Sequence, residues 1–205
     1  MTKPNPVMRE TILDQARQLM LAHGYSGTSI DRVCAAAGVT KGAFFHYFKT
    51  KKALGLAVLA RHGELSMRAY QGAAFLQKSD ALDRLLGYVD FTAALVRHPV
   101  RDACLFGMFS QELADSLPDF RNGCAAAFAQ WAGGLRDMLD GVKRKRAPKT
   151  RIDTEALAEH FIAVFEGALI LAKAKGDVGP VRVHLDQYKD YLKSVFATAT
   201  RRKRV

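Results

Sequence analysis

The amino-acid sequence predicts an all-α protein of about nine helices. Apolar residues recur at helical spacing through nearly all of its 205 residues, and no stretch alternates apolar and polar residues as a half-buried strand would. Proline interrupts the pattern at several points, including His98-Pro99 and Leu117-Pro118. We expect an N-terminal domain of three helices over residues 1–54 and a larger helical domain over residues 55–205.

The first four helices are predicted from capping residues as well as from periodicity. A threonine side chain accepts a hydrogen bond from the first helical turn, and glycine commonly ends a helix in the left-handed conformation. Thr28, with Asp31 at the capping-box position, precedes the second helix, and Thr40 and Thr50 precede the next two. The first helix is predicted over about 7–23, the second up to Gly38, the third over about 40–48 and the fourth up to about 76.

Five further helices are predicted, and the last two carry the clearest apolar stripes. They lie near 80–97, 100–114, 118–142, 153–175 and 184–200. A helix with an apolar stripe packs well against a second such helix, and two from each of two copies form a four-helix bundle. We therefore expect a homodimer through the helices near 153–175 and 184–200.

The composition excludes several classes of protein. No run approaches 18 apolar residues, and the N-terminus lacks the order of a signal peptide, so we expect a soluble, cytoplasmic protein with no membrane contact. Three widely spaced cysteines without a CxxC pair argue against a disulfide framework or a zinc site. No phosphate-cradling glycine loop or nucleophile elbow is present, so we expect neither a cofactor nor an enzyme.

The positive charge of the chain is unevenly distributed. Residues 1–54 hold 8 Lys or Arg against 3 Asp or Glu. In the remainder, two short clusters, Lys143–Arg151 and Arg201–Arg204, contain ten basic residues and no acid, and the rest is slightly acidic. A basic N-terminal part on an acidic body suggests a nucleic-acid contact at one end. The two clusters are expected to be solvated segments, with a secondary nucleic-acid contact as the alternative.

The second and third helices, joined by a short turn at Gly38-Val39, match the helix-turn-helix pattern, in which the later helix enters the DNA major groove. Val39, Phe44 and Phe48 can point back to the protein interior. His46 can hydrogen-bond a base edge, and Phe45 can pack on a thymine methyl group. The predicted outward-facing residues of this helix are Lys41, Gly42, Ala43, Phe45, His46 and Tyr47.

The stretch from Thr28 to Leu54, with Gly24-Tyr25 before it, closely resembles the DNA-binding domain of the tetracycline-repressor (TetR) family. The resemblance implies a helix-turn-helix domain over 1–54 and a ligand-binding and dimerisation domain over 55–205. Ala43 and Phe45 lack hydroxyl groups that are common in the family, and Lys52 replaces a common glutamate. By matching position, the family's DNA contacts fall on Thr28, Ser29, Thr40, Lys41, Gly42, Ala43, Phe45, His46, Tyr47 and Lys51.

The stretch from Arg101 to Leu113 resembles a subgroup of the family in which a cysteine opens the sixth helix and some members respond to electrophiles or small unsaturated acids. Cys104 matches that cysteine. A position near a helix N-terminus can activate its thiol, although an unpaired cysteine is more often a small buried apolar residue. Aromatic and methionine side chains suit an apolar ligand. The predicted ligand-binding residues are Phe75, Phe91, Leu95, Cys104, Met108, Phe109, Gln111, Phe128, Trp131 and Phe165.

These observations predict a DNA-binding transcriptional regulator. The interpretation is a repressor that a small-molecule or electrophile inducer releases from a palindromic double-stranded DNA operator. Two alternatives belong to other classes. One is a cytosolic, thiol-dependent helical enzyme that uses Cys104, and the other is an architectural protein that coats DNA without sequence preference.

Overall fold

The computed structural model describes residues 5–149 and 151–201, with side chains up to residue 197 in the last helix. Within these residues all regular secondary structure is helical, which confirms the predicted fold class. The basic tail Arg201–Arg204 lies outside the described side chains. A short 3-10 helix, Ala74–Gln77, follows the fourth α-helix, and the α-helices are α1 (Pro6–His23), α2 (Ile30–Ala37), α3 (Lys41–Tyr47), α4 (Lys51–Tyr70), α5 (Ala81–Leu95), α6 (Leu105–Leu113), α7 (Pro118–Arg146), α8 (Thr154–Lys175) and α9 (Gly179–Arg201).

The caps of the second and third helices explain where each begins. Ser29, not Thr28, caps α2, because its Oγ accepts a hydrogen bond from the Arg32 N–H at 3.2 Å. The Thr28 hydroxyl instead donates to the Gly24 carbonyl at 2.8 Å, so the predicted Thr28 cap is wrong. Thr40 caps α3 as predicted, since its Oγ1 accepts from the Ala43 N–H.

The fourth helix is shorter than its periodicity predicts. It ends at Tyr70, although the apolar pattern extends to about residue 76. Gly72 has a φ of +74°, a left-handed conformation that interrupts helical hydrogen bonding, and the chain resumes as the 3-10 helix. The prediction of one continuous helix up to residue 76 is therefore wrong.

Helices α6 and α9 also begin at residues other than those predicted. Before α6, the Asp102 carboxylate accepts hydrogen bonds from the backbone N–H groups of Arg97 and His98, which holds a turn where a helix was expected. The last helix begins at Gly179 rather than near residue 184, because Pro180 fits the first turn of a helix. Asp177 supports that start by accepting from the Gly179 N–H at 3.1 Å.

The chain forms two compact units. The first combines the Met1–Tyr70 segment with Ala103–Ala127, so that α6 and the beginning of α7 belong with α1 to α4. The second combines Gln71–Asp102 with the segment from Phe128 onward. The predicted boundary after residue 54 stays a prediction about the two functional domains. Fully buried apolar side chains fill each unit, among them Ile12, Met20, Phe44, Leu54, Phe109 and Phe120 in the first and Leu85, Leu135, Leu139, Phe161 and Phe196 in the second.

Three further properties hold for the part of the chain that the structure describes. No helix there combines the length and apolar character needed to cross a membrane. No group of three or more His, Cys, Asp or Glu side chains in that part is arranged to hold a metal ion. Cys34 and Cys124 are buried, Cys104 is half-buried, and the three form no disulfide with one another.

Candidate DNA-binding surface and sensor residues

A buried phenylalanine anchors α3 to the protein interior. Phe44 is completely buried, and its ring lies 5.9 Å from that of Phe48, which is also buried. Both were predicted to point inward, and residues on the other side of a seven-residue helix are consequently turned away from the core. The prediction that Phe44 and Phe48 point to the protein interior is therefore confirmed.

The outward side of α3 is exposed and carries an unusual set of side chains. Lys41, Gly42, Ala43, Phe45 and His46 are all exposed. Phe45 is 40% exposed, so part of its ring is accessible on this surface while the ring packs edge-to-face against Phe44 at 5.3 Å. A Cβ atom on Gly42 would have only the Thr40 hydroxyl within 4 Å, so this protein's own packing does not require glycine there.

The two ends of the α3 surface are held by polar contacts. Lys41 Nζ lies 2.7 Å from the Asp31 carboxylate of α2, and both side chains are exposed. The hydrogen bond to Asp31 raises the pKa of Lys41, so the lysine remains charged. At the other end Tyr47 is half-buried, and its hydroxyl accepts a hydrogen bond from the Asn5 N–H at 3.1 Å.

The remaining predicted DNA contacts lie in different environments. Ser29 and Thr40 are exposed caps at the first turns of α2 and α3. Thr28 is only 1% exposed, and both its N–H and its hydroxyl are hydrogen-bonded within the protein. Lys51 is half-buried, with Nζ located 4.5 Å from the centre of the Tyr25 ring. The structure thus brings Ser29, Thr40 and the α3 residues together on exposed surface, and Thr28 is not among them.

Two contacts within this unit were missed by sequence reasoning. Glu112 of α6 accepts hydrogen bonds from the backbone N–H groups of Tyr25 and Ser26 in the turn between α1 and α2. Lys52 Nζ lies 2.5 Å from the Asp119 carboxylate at the beginning of α7. Each contact joins residues more than 60 positions apart, so periodicity and local spacing contain no signal for them.

Four predicted ligand-binding residues belong to the first unit. Phe109 is completely buried and packs edge-to-face against Tyr25 and Phe120, so it is part of the core beneath the helix-turn-helix. Gln111 is exposed and donates to the Gly107 carbonyl of its own helix. Cys104 and Met108 are half-buried, and Cys104 is the N-cap residue of α6.

The other six predicted ligand-binding residues belong to the second unit. Phe75 is buried against Phe91, at 5.6 Å between ring centres. Trp131 packs against Phe165 at 5.6 Å and donates from Nε1 to the hydroxyl of Tyr88, which sequence reasoning had not selected. Leu95 and Phe128 are half-buried. The ten residues therefore belong to two different compact units. Sequence spacing could not reveal this, because a residue that lines a pocket and a residue of the ordinary core recur at the same helical spacing.

The second unit also contains an open cleft of about 310 Å³. Two arginines and one aspartate are among its lining residues, whereas no charged residue is among the predicted ligand-binding residues. None of the predicted ligand-binding residues lines this cleft. Its lining residues are Ala81, Arg84, Asp137, Met138, Gly141 and Arg144.

A short helix with an exposed polar and aromatic face, following a tight turn after a second short helix, defines a helix-turn-helix DNA-binding regulator. The chain belongs to the TetR family. Residues 12–58 match the family model described as bacterial regulatory proteins, tetR family, and residues 81–198 match the tetracyclin repressor-like C-terminal domain. The protein is accordingly a transcriptional regulator and not an enzyme.

Relatives and a solved structure agree with this assignment. The chain is 32% identical to the transcriptional regulator AcuR of Cereibacter sphaeroides over 73% of this chain and 69% of AcuR. It is 31% identical to the transcriptional repressor NemR of Escherichia coli K12, over 93% of this chain and 94% of NemR. A crystal structure of E. coli NemR in its reduced form superposes with a TM-score of 0.76 at 26% identity, covering 90% of this chain and 96% of that one.

Proposed function

We propose that this regulator is a repressor that binds a palindromic operator as a homodimer and leaves it when an inducer acts on the region of α6. The exposed face of α3, which has Phe45 40% exposed over a completely buried Phe44, is the observation that carries the proposal. This face offers an apolar contact together with the exposed hydrogen-bonding side chains of Lys41 and His46, a combination that suits the edges of bases in a major groove.

The proposed base-reading residues are those on the outward face of α3. Lys41 and His46 supply hydrogen-bond donors for base edges, and Phe45 supplies an apolar contact for a thymine methyl group. The small residues Gly42 and Ala43 permit close approach to the DNA backbone. Tyr47 with Ser29, Thr40 and Lys51 would contact phosphates at the edges of the groove. Thr28 has no side-chain group available and is left out of the proposed contacts.

The proposed dimer interface is formed by α8 and α9. Ile170 and Leu171 on α8 are 51% and 41% exposed, and Val183 and Tyr191 on α9 are 54% and 46% exposed. These are four of the eight large apolar side chains that are exposed among the described residues. A second copy related by a two-fold axis would cover them and place two α3 helices on half-sites about 34–36 Å apart.

The proposed sensor is Cys104, at the N-cap position of α6. A thiolate at this position would add to the β-carbon of an enal or quinone. A carbon–sulfur bond forms, the carbon–carbon π bond breaks, and water protonates the α-carbon. The resemblance to NemR, which is known in a reduced form, supports a redox- or electrophile-linked role. The adduct would displace α6, while the aromatic residues around Trp131 in the second unit would accept an apolar inducer that binds reversibly.

The proposal is tested by measuring binding to the DNA upstream of the protein's own gene, with and without excess random DNA. A repressor retains the specific complex under competition, whereas an architectural protein loses it. An His46→Ala change should alter preference among operator variants rather than weaken binding to all of them equally. Cys104→Ser should bind normally but resist release by an enal, and normal release would refute the sensor assignment.

A further inference from the structure

The turn between α1 and α2 is held by a carboxylate from a distant part of the chain. Glu112 Oε2 accepts a hydrogen bond from the Tyr25 N–H at 2.8 Å, and Oε1 accepts one from the Ser26 N–H at 2.6 Å. Burial alone would raise the pKa of Glu112, but the hydrogen bonds from Ser26 and Tyr25 and the charge of Lys51 outweigh it and lower that pKa. Glu112 is therefore ionised at neutral pH, and both bonds are charge-assisted.

Lys51, the first residue of α4, contacts the same turn. Its Nζ donates to the Ser26 carbonyl at 3.4 Å and lies 4.5 Å from the centre of the Tyr25 ring. Burial lowers the pKa of Lys51, and the Glu112 carboxylate opposes that shift. The Glu112 carboxylate thus binds the N–H groups of the turn, and the Lys51 ammonium binds its Ser26 carbonyl. Because both side chains contact the same turn, the position of Lys51 depends on that of Glu112.

Aromatic packing and a glycine bring α6 close to this turn. The Tyr25 ring packs edge-to-face against Phe109 of α6 at 6.0 Å and Phe120 of α7 at 5.2 Å. A Cβ atom on Gly24 would lie 2.8 Å from Glu112 Oε2, and Gly24 also has a φ of +75°. A side chain at position 24 would displace the flexible end of Glu112, and the positive φ there would be strained for a residue other than glycine.

We propose that Glu112 is a positioning residue, which fixes the α1–α2 turn and thereby holds Lys51 where it can bind a DNA phosphate. The inference rests on the proposed function, because it takes Lys51 to contact the operator. Glu112 itself does not touch DNA. Without its carboxylate, the Tyr25 and Ser26 N–H groups lose their acceptor, the turn loosens, and Lys51 loses the oriented carbonyl to which it donates.

The same contact connects Lys51 with the sensor helix. Glu112 follows Cys104 by eight residues, and the helix between them is continuous from Leu105 to Leu113. Hydrogen bonds of this kind have donor–acceptor distances of about 2.7–3.2 Å, so a displacement of α6 that carries the two bonds beyond this range would release the turn. A change at the first turn of α6 would consequently reach Lys51 through Glu112.

The test compares Glu112→Ala and Glu112→Gln with a matched control, Asp115→Asn, which removes an exposed carboxylate two residues beyond α6. Removing an acid near a polyanion ordinarily tightens DNA binding, so the control should bind its upstream DNA as tightly as the unmodified protein or more tightly. Glu112→Ala should bind about tenfold more weakly and reduce the slope of log K against log salt by about 0.9 for each DNA-binding head. Glu112→Gln retains one acceptor oxygen, so its DNA affinity and salt slope should lie between those of Glu112→Ala and Asp115→Asn.

A second measurement distinguishes positioning from a general loss of structure. Lys51→Met removes the phosphate contact directly, and Glu112→Ala should then weaken binding by less than about twofold in the Lys51→Met background. The inference would be overturned if the losses of DNA affinity caused by Lys51→Met and Glu112→Ala multiplied in the double variant. It would also be overturned if the Glu112 variants bound DNA as tightly as Asp115→Asn and kept the salt dependence of the unmodified protein. If Glu112→Ala fails to fold, the slope of log K against log salt measured for Glu112→Gln decides whether the inference holds. If the unmodified protein itself showed no specific binding to its upstream DNA, the proposed function would be refuted instead. A failure of the inference about Glu112 can therefore be told apart from a failure of the proposed function.

Discussion

The Nε2 atom of His62 accepts a hydrogen bond from the backbone N–H of Leu105 at 3.4 Å, which joins α4 to the first turn of α6. This bond requires the neutral tautomer with its proton on Nδ1. That nitrogen is buried, and no hydrogen-bond acceptor for it is present in the described part of the chain. Burial, reinforced by the charge of Arg17, lowers the pKa of His62 from 6.5 to about 4.

This depressed pKa predicts a loss of stability in acid. Below pH 6.5 the unfolded chain binds a proton at His62 that the folded protein does not bind until about pH 4, so the free energy of unfolding falls across this window. The His62 residue as a whole is half-buried, so water screens part of this effect. We therefore expect the lowered pKa to change the free energy of unfolding by about 2 kcal/mol across this pH range. Urea unfolding between pH 7.5 and 4.5 should show a weaker pH dependence for His62→Gln, and parallel curves would contradict the assignment.

Glycine at position 55 of α4 is required by the aromatic side chains that pack against this helix. A Cβ atom there would lie 2.7 Å from Tyr25 Cε2 and 2.8 Å from Phe120 Cζ. Gly55→Ala should therefore destabilise the protein by about 1–3 kcal/mol, despite the higher helix propensity of alanine. Gly134→Ala is the matched control, since nothing lies within 4 Å of its added Cβ. It should be neutral or stabilise by up to about 1 kcal/mol in the same denaturation experiment.

If the exposed apolar face of α8 and α9 forms the proposed dimer interface, a charge introduced there should dissociate the dimer. Ile170 is 51% exposed, so Ile170→Glu should leave the helix content unchanged. In the dimer the new carboxylate would be desolvated in each subunit, which should raise the dissociation constant by about a hundredfold or more. Sedimentation velocity measures this change. Leu76→Glu makes a similar change at another exposed apolar residue and should remain dimeric.

The ion pair between Asp31 and Lys41 predicts an effect on DNA affinity rather than on stability. Both side chains are exposed, and such pairs contribute little to folding. Asp31→Asn should free Lys41 and remove a negative charge close to the DNA, so binding should tighten several-fold on specific and random sequences alike. Fluorescence anisotropy titrations measure both. Weaker binding of the operator would show that Asp31 orients Lys41 instead of competing for it.

The helix-turn-helix could be predicted because its determinants are local. The Thr40 cap, the turn at Gly38 and the inward position of Phe44 all lie within seven residues, and the structure contains each of them. The choice between Thr28 and Ser29 as the cap of α2 was not local. Both residues can cap a helix, but the Thr28 hydroxyl donates to the Gly24 carbonyl, beside the Tyr25 and Ser26 N–H groups that donate to Glu112.

The ligand site was less predictable for a different reason. An aromatic side chain on a helix stripe has the same spacing whether it lines a pocket or fills a core. Phe109 was predicted as a pocket residue, and it packs with Tyr25 and Phe120 in the interior of the first unit, so its role in ligand binding stays a prediction. Tyr88, which accepts from Trp131 in the second unit, was not selected at all.

The amino-acid sequence by itself determined the all-α class, the helix-turn-helix and the family, because periodicity, caps and turn glycines act over a few neighbouring residues. Tertiary structure alone decided that α6 packs with the DNA-binding helices and that Glu112 holds the turn that Lys51 contacts. The two hydrogen bonds to Glu112 join residues more than 80 positions apart. Their partners are selected by burial and by the need to satisfy backbone N–H groups, which depend on the complete packing of the chain.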